Sequence, residues 1–192
     1  MRIGIIDSGK GGLAVAKKIK KKEDQLLILL DQGFFPYGTK SKEFLLKRSF
    51  YLANILISMK VELIILACNT LSIYALAFLK YSLTIPVIGI FDYFKPNLTN
   101  EYILLGSRAT ITYAKNHYPV QVYDGTEFIK AIEKKESITK YLEELKAYKG
   151  KAFLLGCTHF LAIEEHKFPL PTLTQIPLLL EDIKKTRNFS SH

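Results

Sequence analysis

Leu63-Ile64-Ile65-Leu66-Ala67-Cys68-Asn69-Thr70 is an apolar run that stops at a small residue and a cysteine. Polar residues then open a helical pattern that continues to Lys80. A run this short, bounded by turn-forming residues, predicts a buried strand of a parallel sheet feeding a helix. Ala152-Phe153-Leu154-Leu155-Gly156-Cys157-Thr158-His159 repeats the order: apolar run, small residue, cysteine, polar residues. In open α/β sheets ligands gather at the carboxyl ends of the strands, and both cysteines fall at such an end.

The flanking sequence keeps the same alternation. Ile3 to Ile6 predicts a strand that ends at Asp7-Ser8-Gly9, before a helix from Leu13 through Ile19. Further strands are predicted at Leu26 to Leu30 and Pro86 to Ile90, with a helix over Ser41 to Met59 between them. The second half offers strands at Tyr102 to Leu105, Val120 to Tyr123 and Ala152 to Leu155. Its predicted helices run over Ala109 to Asn116 and Glu127 to Tyr148, the latter with a break near Ser137. The tail after Phe168 carries Pro169, Pro171 and Pro177, so it starts irregular and ends in a helix near Leu178 to Lys185. The fold class expected is α/β: two pseudo-symmetric lobes, each a mainly parallel sheet flanked by helices, with a cleft between them. The first lobe is placed at 1–92 with the tail 170–192, the second at 93–169, and the join around Phe91 to Asn97.

Composition narrows the function classes. The 192 residues are 48% hydrophobic and 23% charged, which fits a packed core and not disorder. No segment is apolar for long enough to span a bilayer. An acidic Asp7 stands where a signal peptide would be apolar, so a cytoplasmic location is expected. The formal charge of +9 comes from lysines spread along the chain, with modest clusters at Lys17 to Lys22 and Lys134-Lys135. Without an aromatic-interleaved basic stripe, this is a solvated surface, and neither nucleic acid nor a membrane is expected as a partner. In a cytoplasmic chain two cysteines do not suggest a structural disulfide, and two thiols are too few for a structural zinc site.

Each cysteine instead sits where a helix N-terminus would stabilise a thiolate and offer backbone N–H groups to a carboxylate. A single cysteine at a strand end is often a small buried hydrophobe, but two in near-repeated contexts favour chemistry. Removing the α-proton of an amino acid from one face and returning a proton to the other inverts the centre. A thiolate on one side and a thiol on the other can do this, since cysteine can be tuned toward the working pH. Asp7 and Ser8 fit a helix N-cap as well as they fit a role beside the thiol or the substrate ammonium. Asp7-Ser8-Gly9-Lys10-Gly11-Gly12 looks like a phosphate loop but lacks its spacing. His159 has no spaced metal-ligand partner and is read as an aid to Cys157; no metal is expected.

Five segments in order resemble the glutamate racemases, within the aspartate/glutamate racemase superfamily. They are Ile3 to Leu13, Asp31 to Ser41 with Pro36-Tyr37-Gly38, Ala67-Cys68-Asn69-Thr70, Ile85 to Gly89, and Leu155-Gly156-Cys157-Thr158-His159-Phe160. The resemblance implies that Cys68 and Cys157 are the proton carriers, assisted by Asp7 and His159 respectively. It implies that Asp7, Ser8, Tyr37, Gly38, Asn69, Thr70, Thr158 and His159 hold the substrate. A family glutamate that assists catalysis would fall at Glu133. It also implies a small-molecule substrate, glutamate, no pyridoxal phosphate or other cofactor, and D-glutamate supplied to peptidoglycan. A homodimer is compatible with it. The chain is shorter than the usual member, and no Ala-Cys-Pro-like segment lies between Gly106-Ser107-Arg108-Ala109-Thr110 and Cys157. A racemase of aspartate or another acidic substrate, and a trimmed binding homologue of weak activity, are the rival readings. A Cys-His hydrolase would leave one cysteine without a task.

Overall fold

The computed structural model describes residues 1–189. Among these residues eight strands and seven α-helices follow one another, mostly as βαβ units. Strands β1 (Arg2–Asp7), β2 (Gln25–Leu30), β3 (Leu63–Leu66) and β4 (Val87–Gly89) form one parallel sheet in the order β2-β1-β3-β4. Strands β5 (Tyr102–Gly106), β6 (Gln121–Asp124), β7 (Ala152–Gly156) and β8 (Thr172–Leu173) form a second parallel sheet in the order β6-β5-β7-β8. The two orders are the same pattern, so the expected pair of pseudo-symmetric α/β lobes is what the chain adopts. The Phe91–Asn97 segment between them is a 3₁₀ helix.

The sheets are buried on both faces, which is why their strands are continuous apolar runs instead of alternating ones. In the first lobe Ile3, Ile5, Leu63 and Ile65 face helix α1 (Gly11–Ile19) through Val15, Ala16 and Ile19. Ile6, Ile64 and Leu66 face the opposite way, onto Leu45, Leu52 and Leu56 of α2 (Lys42–Ser58) and Leu71, Ala75 and Leu79 of α3 (Asn69–Ser82). Ser41 caps α2 by accepting the Phe44 N–H at 3.2 Å. In the second lobe Ile103, Leu105, Phe153 and Leu155 pack on Phe128, Tyr141 and Leu145. Leu104 and Leu154 pack on Ala114 of α4 (Arg108–His117) and on Phe91 and Phe94 of the connecting 3₁₀ helix. The link between the lobes is thereby part of the second core.

Two features bear on the site. The helical stretch expected over 127–148, with its break near Ser137, is two helices, α5 (Thr126–Lys134) and α6 (Thr139–Leu145). Lys135 ends α5 in the left-handed conformation, φ 61°, with its N–H turned back to the carbonyls of Ala131 and Ile132. The tail 170–192, expected whole on the first lobe, divides. Pro171 accepts the Phe153 N–H at 2.9 Å and Thr172–Leu173 extend the second sheet as β8, because the edge of β7 offers backbone groups that need partners. Helix α7 (Ile176–Phe189) then crosses to the first lobe, where Leu179 and Ile183 bury against Ile3, Ile5 and Val15. Tyr93 donates to Asp182 at 2.8 Å and pins that helix. The final three tail residues, 190–192, lie outside the described residues. No helix among the described residues is long and apolar enough to cross a membrane.

Candidate active site

Cys68 and Cys157 end equivalent strands, β3 and β7, and both line one cleft between the lobes. Cys68 stands at the N-cap of α3 with extended backbone, φ −85° and ψ 121°. The N–H groups of Leu71 and Thr70 point at its sulfur and favour the thiolate. The Ser8 hydroxyl donates to the same sulfur at 3.9 Å. Burial works against these donors, the Asp7 carboxylate adds to it, and the Cys68 thiol is pushed up to about 12. Cys157 precedes only a short 3₁₀ turn, Thr158–Ala162. The His159 N–H reaches its sulfur, and the His159 Nδ1 lies 3.4 Å from it. Burial again raises the thiol, well above the ordinary cysteine value.

The small residue before Cys157 has a structural explanation. A Cβ at Gly156 would come within 2.7 Å of both Leu105 O and Leu104 Cδ1, so glycine is demanded by the approach of β5 and not by a ligand. Gly11, at the start of α1, has a comparable reason: a Cβ there would overlap the Thr158 hydroxyl. The Gly-rich turn after β1 is thus the seat on which the second lobe closes.

Polar contacts across the cleft join the lobes. Asp7, 1% exposed, accepts from the Gly9 N–H at 3.0 Å and from the Thr158 hydroxyl at 2.9 Å. Burial raises the Asp7 carboxyl above its usual value, although His159 and these donors pull the other way. Thr70, Ser107 and Thr110 form a triangle of hydroxyls, with separations of 3.0, 3.2 and 3.1 Å. Gly38 lies against Ser107 from the other side, where a Cβ would meet its Oγ at 2.9 Å. Phe35 closes the rim over the His159 ring, centroid to centroid 5.4 Å. The space left in the cleft is about 20 Å³, room for roughly one water.

Glu133 is held on the Cys157 side. Its carboxylate accepts from His159 Nε2 at 2.7 Å, from the Lys10 N–H at 3.0 Å and from Gln32 Nε2 at 3.1 Å. Burial opposes its ionisation, but these donors outweigh it and hold the carboxyl below the usual range. Glu133 stands in the last turn of α5, where the helix dipole disfavours an acid. The break at Lys135 and the partners from the first lobe make that position tolerable. With Nε2–H donating to Glu133, a neutral His159 presents the Nδ1 lone pair to Cys157.

The structure brings Asp7, Ser8, Cys68, Asn69, Thr70, Cys157, Thr158 and His159 to one cleft, with Gly38 and Tyr37 on its wall. Tyr37 differs from the rest, because its hydroxyl donates to Asp31, which Arg48 also grips at 2.6 and 2.8 Å. What it gives the cleft is a wall. Lys10, which looked like part of a phosphate loop, binds Glu133 through Nζ to the backbone carbonyl at 2.8 Å. Ser107, Thr110, Phe35 and Gln175 belong to the site or its support and carry no local signal that marks them. Among the described residues no group of three or more His, Cys, Asp or Glu is placed to hold a metal ion.

No family model matches the chain. Individual proteins do. The glutamate racemase of Hydrogenobaculum sp. (strain Y04AAS1) is 32% identical over 188 residues, covering 86% of this chain and 73% of that protein. Glutamate racemase from Francisella tularensis subsp. tularensis SCHU S4, solved in complex with D-glutamate, superposes with a TM-score of 0.77 at 25% identity, over 97% of this chain and 82% of that one. A Bacillus anthracis glutamate racemase shares the fold at a TM-score of 0.81 and 22% identity, over 98% of this chain and 82% of that one. Identity at this level across most of both sequences, on the same paired parallel sheets, places the chain in the glutamate racemase family, amino-acid isomerases that work without pyridoxal phosphate.

Proposed function

We propose that this protein interconverts L- and D-glutamate by passing a proton between Cys68 and Cys157 across the two faces of the α-carbon. The observation that carries the reading is the pairing of the thiols. Each ends an equivalent strand of its own lobe, and each has its own polar assistant at the same cleft. On one face Asp7, whose carboxyl is raised by burial, is the acceptor for the Cys68 proton, with Ser8 and the Leu71 and Thr70 N–H groups steadying the thiolate. On the other face His159 Nδ1 takes the Cys157 proton, and Glu133 stabilises the imidazolium that results. One thiolate removes the α-proton; the opposite thiol returns a proton to the other face. Asn69, Thr70, Ser8 and Thr158 hold the carboxylate and ammonium groups, which fixes the α-carbon between the sulfurs.

A space of about 20 Å³ is too small for glutamate, so the cleft between the two sheets must widen to admit it. Closure expels water and shields the carbanion. The thiols call for a reducing compartment, consistent with work in the cytoplasm and supply of D-glutamate to peptidoglycan.

The test is incubation of the purified protein with L-glutamate in deuterated water, with excess chelator and no pyridoxal phosphate, followed by chiral analysis. D-glutamate carrying α-deuterium is the expected product. Folded protein that exchanges the α-proton of neither enantiomer overturns the reading.

A further inference from the structure

We infer that Gln175, from the tail, is a positioning residue that orients the Asn69 amide so that its NH₂ group faces the substrate carboxylate; this rests on the glutamate reading above. Gln175 is 1% exposed and stands at the N-terminal end of α7, where its carbonyl accepts the Leu179 N–H at 3.0 Å. A glutamine is a poor choice for capping that helix. Its side chain turns away instead, toward the cleft, and donates from Nε2 to Asn69 Oδ1 at 3.0 Å and to the Leu155 carbonyl at 3.3 Å. Leu155 lies two residues before Cys157 and Asn69 lies one after Cys68. One amide therefore ties together the two strand ends that carry the thiols.

The polarity of this chain of contacts follows from its one invariable member. A backbone carbonyl only accepts, so Leu155 O fixes Gln175 with its NH₂ toward it. That NH₂ in turn fixes Asn69 with its oxygen toward Gln175, because the reverse orientation would set two donors face to face. Asn69 Nδ2 is then left buried and without a partner among the described residues, in a side chain that lines the cleft. A buried amide NH₂ turned to such a cleft is a donor prepared for an anion, and the substrate's carboxylate is that anion. Gln175 Oε1 is likewise buried without a partner, a feature that packing alone would not select.

Three variants separate positioning from support. Gln175→Met keeps the shape and removes the donor. It removes the unpaired acceptor Oε1 but takes a donor from both Asn69 Oδ1 and the Leu155 carbonyl, so the Tm falls modestly while the protein stays folded. KM for both enantiomers should rise about tenfold, the effect of losing one well-aimed hydrogen bond to a charged group, with kcat within about twofold of wild type. Gln175→Glu keeps the shape but accepts instead of donating. It draws Asn69 Nδ2 to itself, turns Oδ1 toward the substrate carboxylate and raises KM further. Asn69→Ala should raise KM as well, and adding Gln175→Met to it should raise KM no more. Additive effects in the double variant, or a lowered kcat with an unchanged KM, overturn the inference. Side-chain amide NMR of the wild-type protein reads the contact without substrate. The Gln175 NH₂ protons should be protected from exchange, and the one that faces Asn69 should lose that protection in Asn69→Ala while the one on the Leu155 carbonyl keeps it; unprotected protons overturn it even if glutamate is not the substrate. Wild-type protein inactive on glutamate with protected Gln175 amides counts against the substrate reading and supports the contact.

Discussion

Glu133→Gln isolates the charge on the Cys157 side of the cleft. The substitution keeps the shape of the side chain. Oε2 receives both the Lys10 N–H and His159 Nε2, so the oxygen of the new amide can keep both contacts while Gln32, on the other side, turns its own amide to match. The change is therefore electrostatic. The Glu133 side chain is only 12% exposed, so solvent does little to screen its interaction with His159. A hydrogen bond to an ionised group contributes about 1.5–3 kcal/mol and a neutral one about 1 kcal/mol. The variant then loses about 0.5–2 kcal/mol of support for the imidazolium, or about two- to thirtyfold in the step that forms it.

The assay has to respect a symmetry of the reaction. The two enantiomers are equal in free energy, so kcat/KM must fall equally in both directions, and no bias will show there. The bias shows in isotope effects. With α-deuterated substrates, the enantiomer whose α-proton is removed by Cys157 should show a larger primary isotope effect in the variant than in the wild type, because proton removal by Cys157 has become slower. The other enantiomer should change less. Since its hydrogen bonds hold Glu133 below the ordinary carboxylate range, the difference between variant and wild type should be constant across neutral pH and shrink only in acid. Activity within twofold of wild type, or isotope effects that grow equally for both enantiomers, would refute the link from Glu133 through His159 to Cys157 alone.

Cys68→Ala and Cys157→Ala should each lower racemisation about a thousandfold or more, the reach of general acid–base catalysis, and full turnover in either would end the two-base reading. Serine at one of these positions should leave slow α-proton exchange from one enantiomer only, read by mass spectrometry in deuterated water. Asp7→Asn removes a carboxyl whose value is raised in the fold, so its ionised form weakens the fold above that value, and the weakening is relieved as pH falls through it toward the unfolded value. The variant should melt at or above the wild-type temperature at neutral pH while racemising about a hundredfold more slowly; a large fall in Tm would show that Asp7 serves packing. Asp31 has the opposite sign. Burial raises its carboxyl, but the bonds from Arg48 and Tyr37 hold it below the usual range, so its stabilisation is present above the unfolded value and lost as pH falls through the folded one. Asp31→Asn should lower urea stability at neutral pH and flatten the acid limb at and below the ordinary carboxylate range; an unchanged limb would place the acid sensitivity elsewhere.

What was legible in the sequence was what is local. Apolar runs such as Leu63–Leu66 and Ala152–Leu155 announce strands buried on both faces, and a cysteine directly after each marks a strand end. From alternation and those ends come two parallel sheets with a cleft at their carboxyl edges. Thr172–Leu173 was not legible as β8, because a two-residue strand beside prolines carries no pattern; it exists through pairing with β7. Neither was the use of the polar residues across the cleft. Thr158 donates to Asp7 from 151 positions away and Gln175 to Asn69 from 106 away. Nothing near Gln175 distinguishes it from a solvated loop glutamine. Tyr37 errs in the other direction: its local motif places it at the cleft, yet its hydroxyl turns inward to Asp31.

The two halves repeat a topology but not its electrostatics. After β3 the chain enters α3, a helix of 14 residues, and Cys68 stands at its N-terminus with two N–H groups on the sulfur. After β7 the corresponding helix is reduced to the 3₁₀ turn Thr158–Ala162, and only the His159 N–H reaches Cys157. A turn of that length has almost no aligned dipole to stabilise a thiolate. The imidazole at 3.4 Å, with an ionised Glu133 behind it, supplies by charge what the shortened helix does not supply by dipole. The same asymmetry accounts for Lys10 and Gln32, which reach from the first lobe to hold Glu133 in the last turn of α5. A 3₁₀ turn in place of a helix after β7 is compatible with the proposed two-base chemistry to the extent that this borrowed network holds, and that is why the charge on Glu133, more than any packing residue of the second lobe, should set the balance between the two thiols.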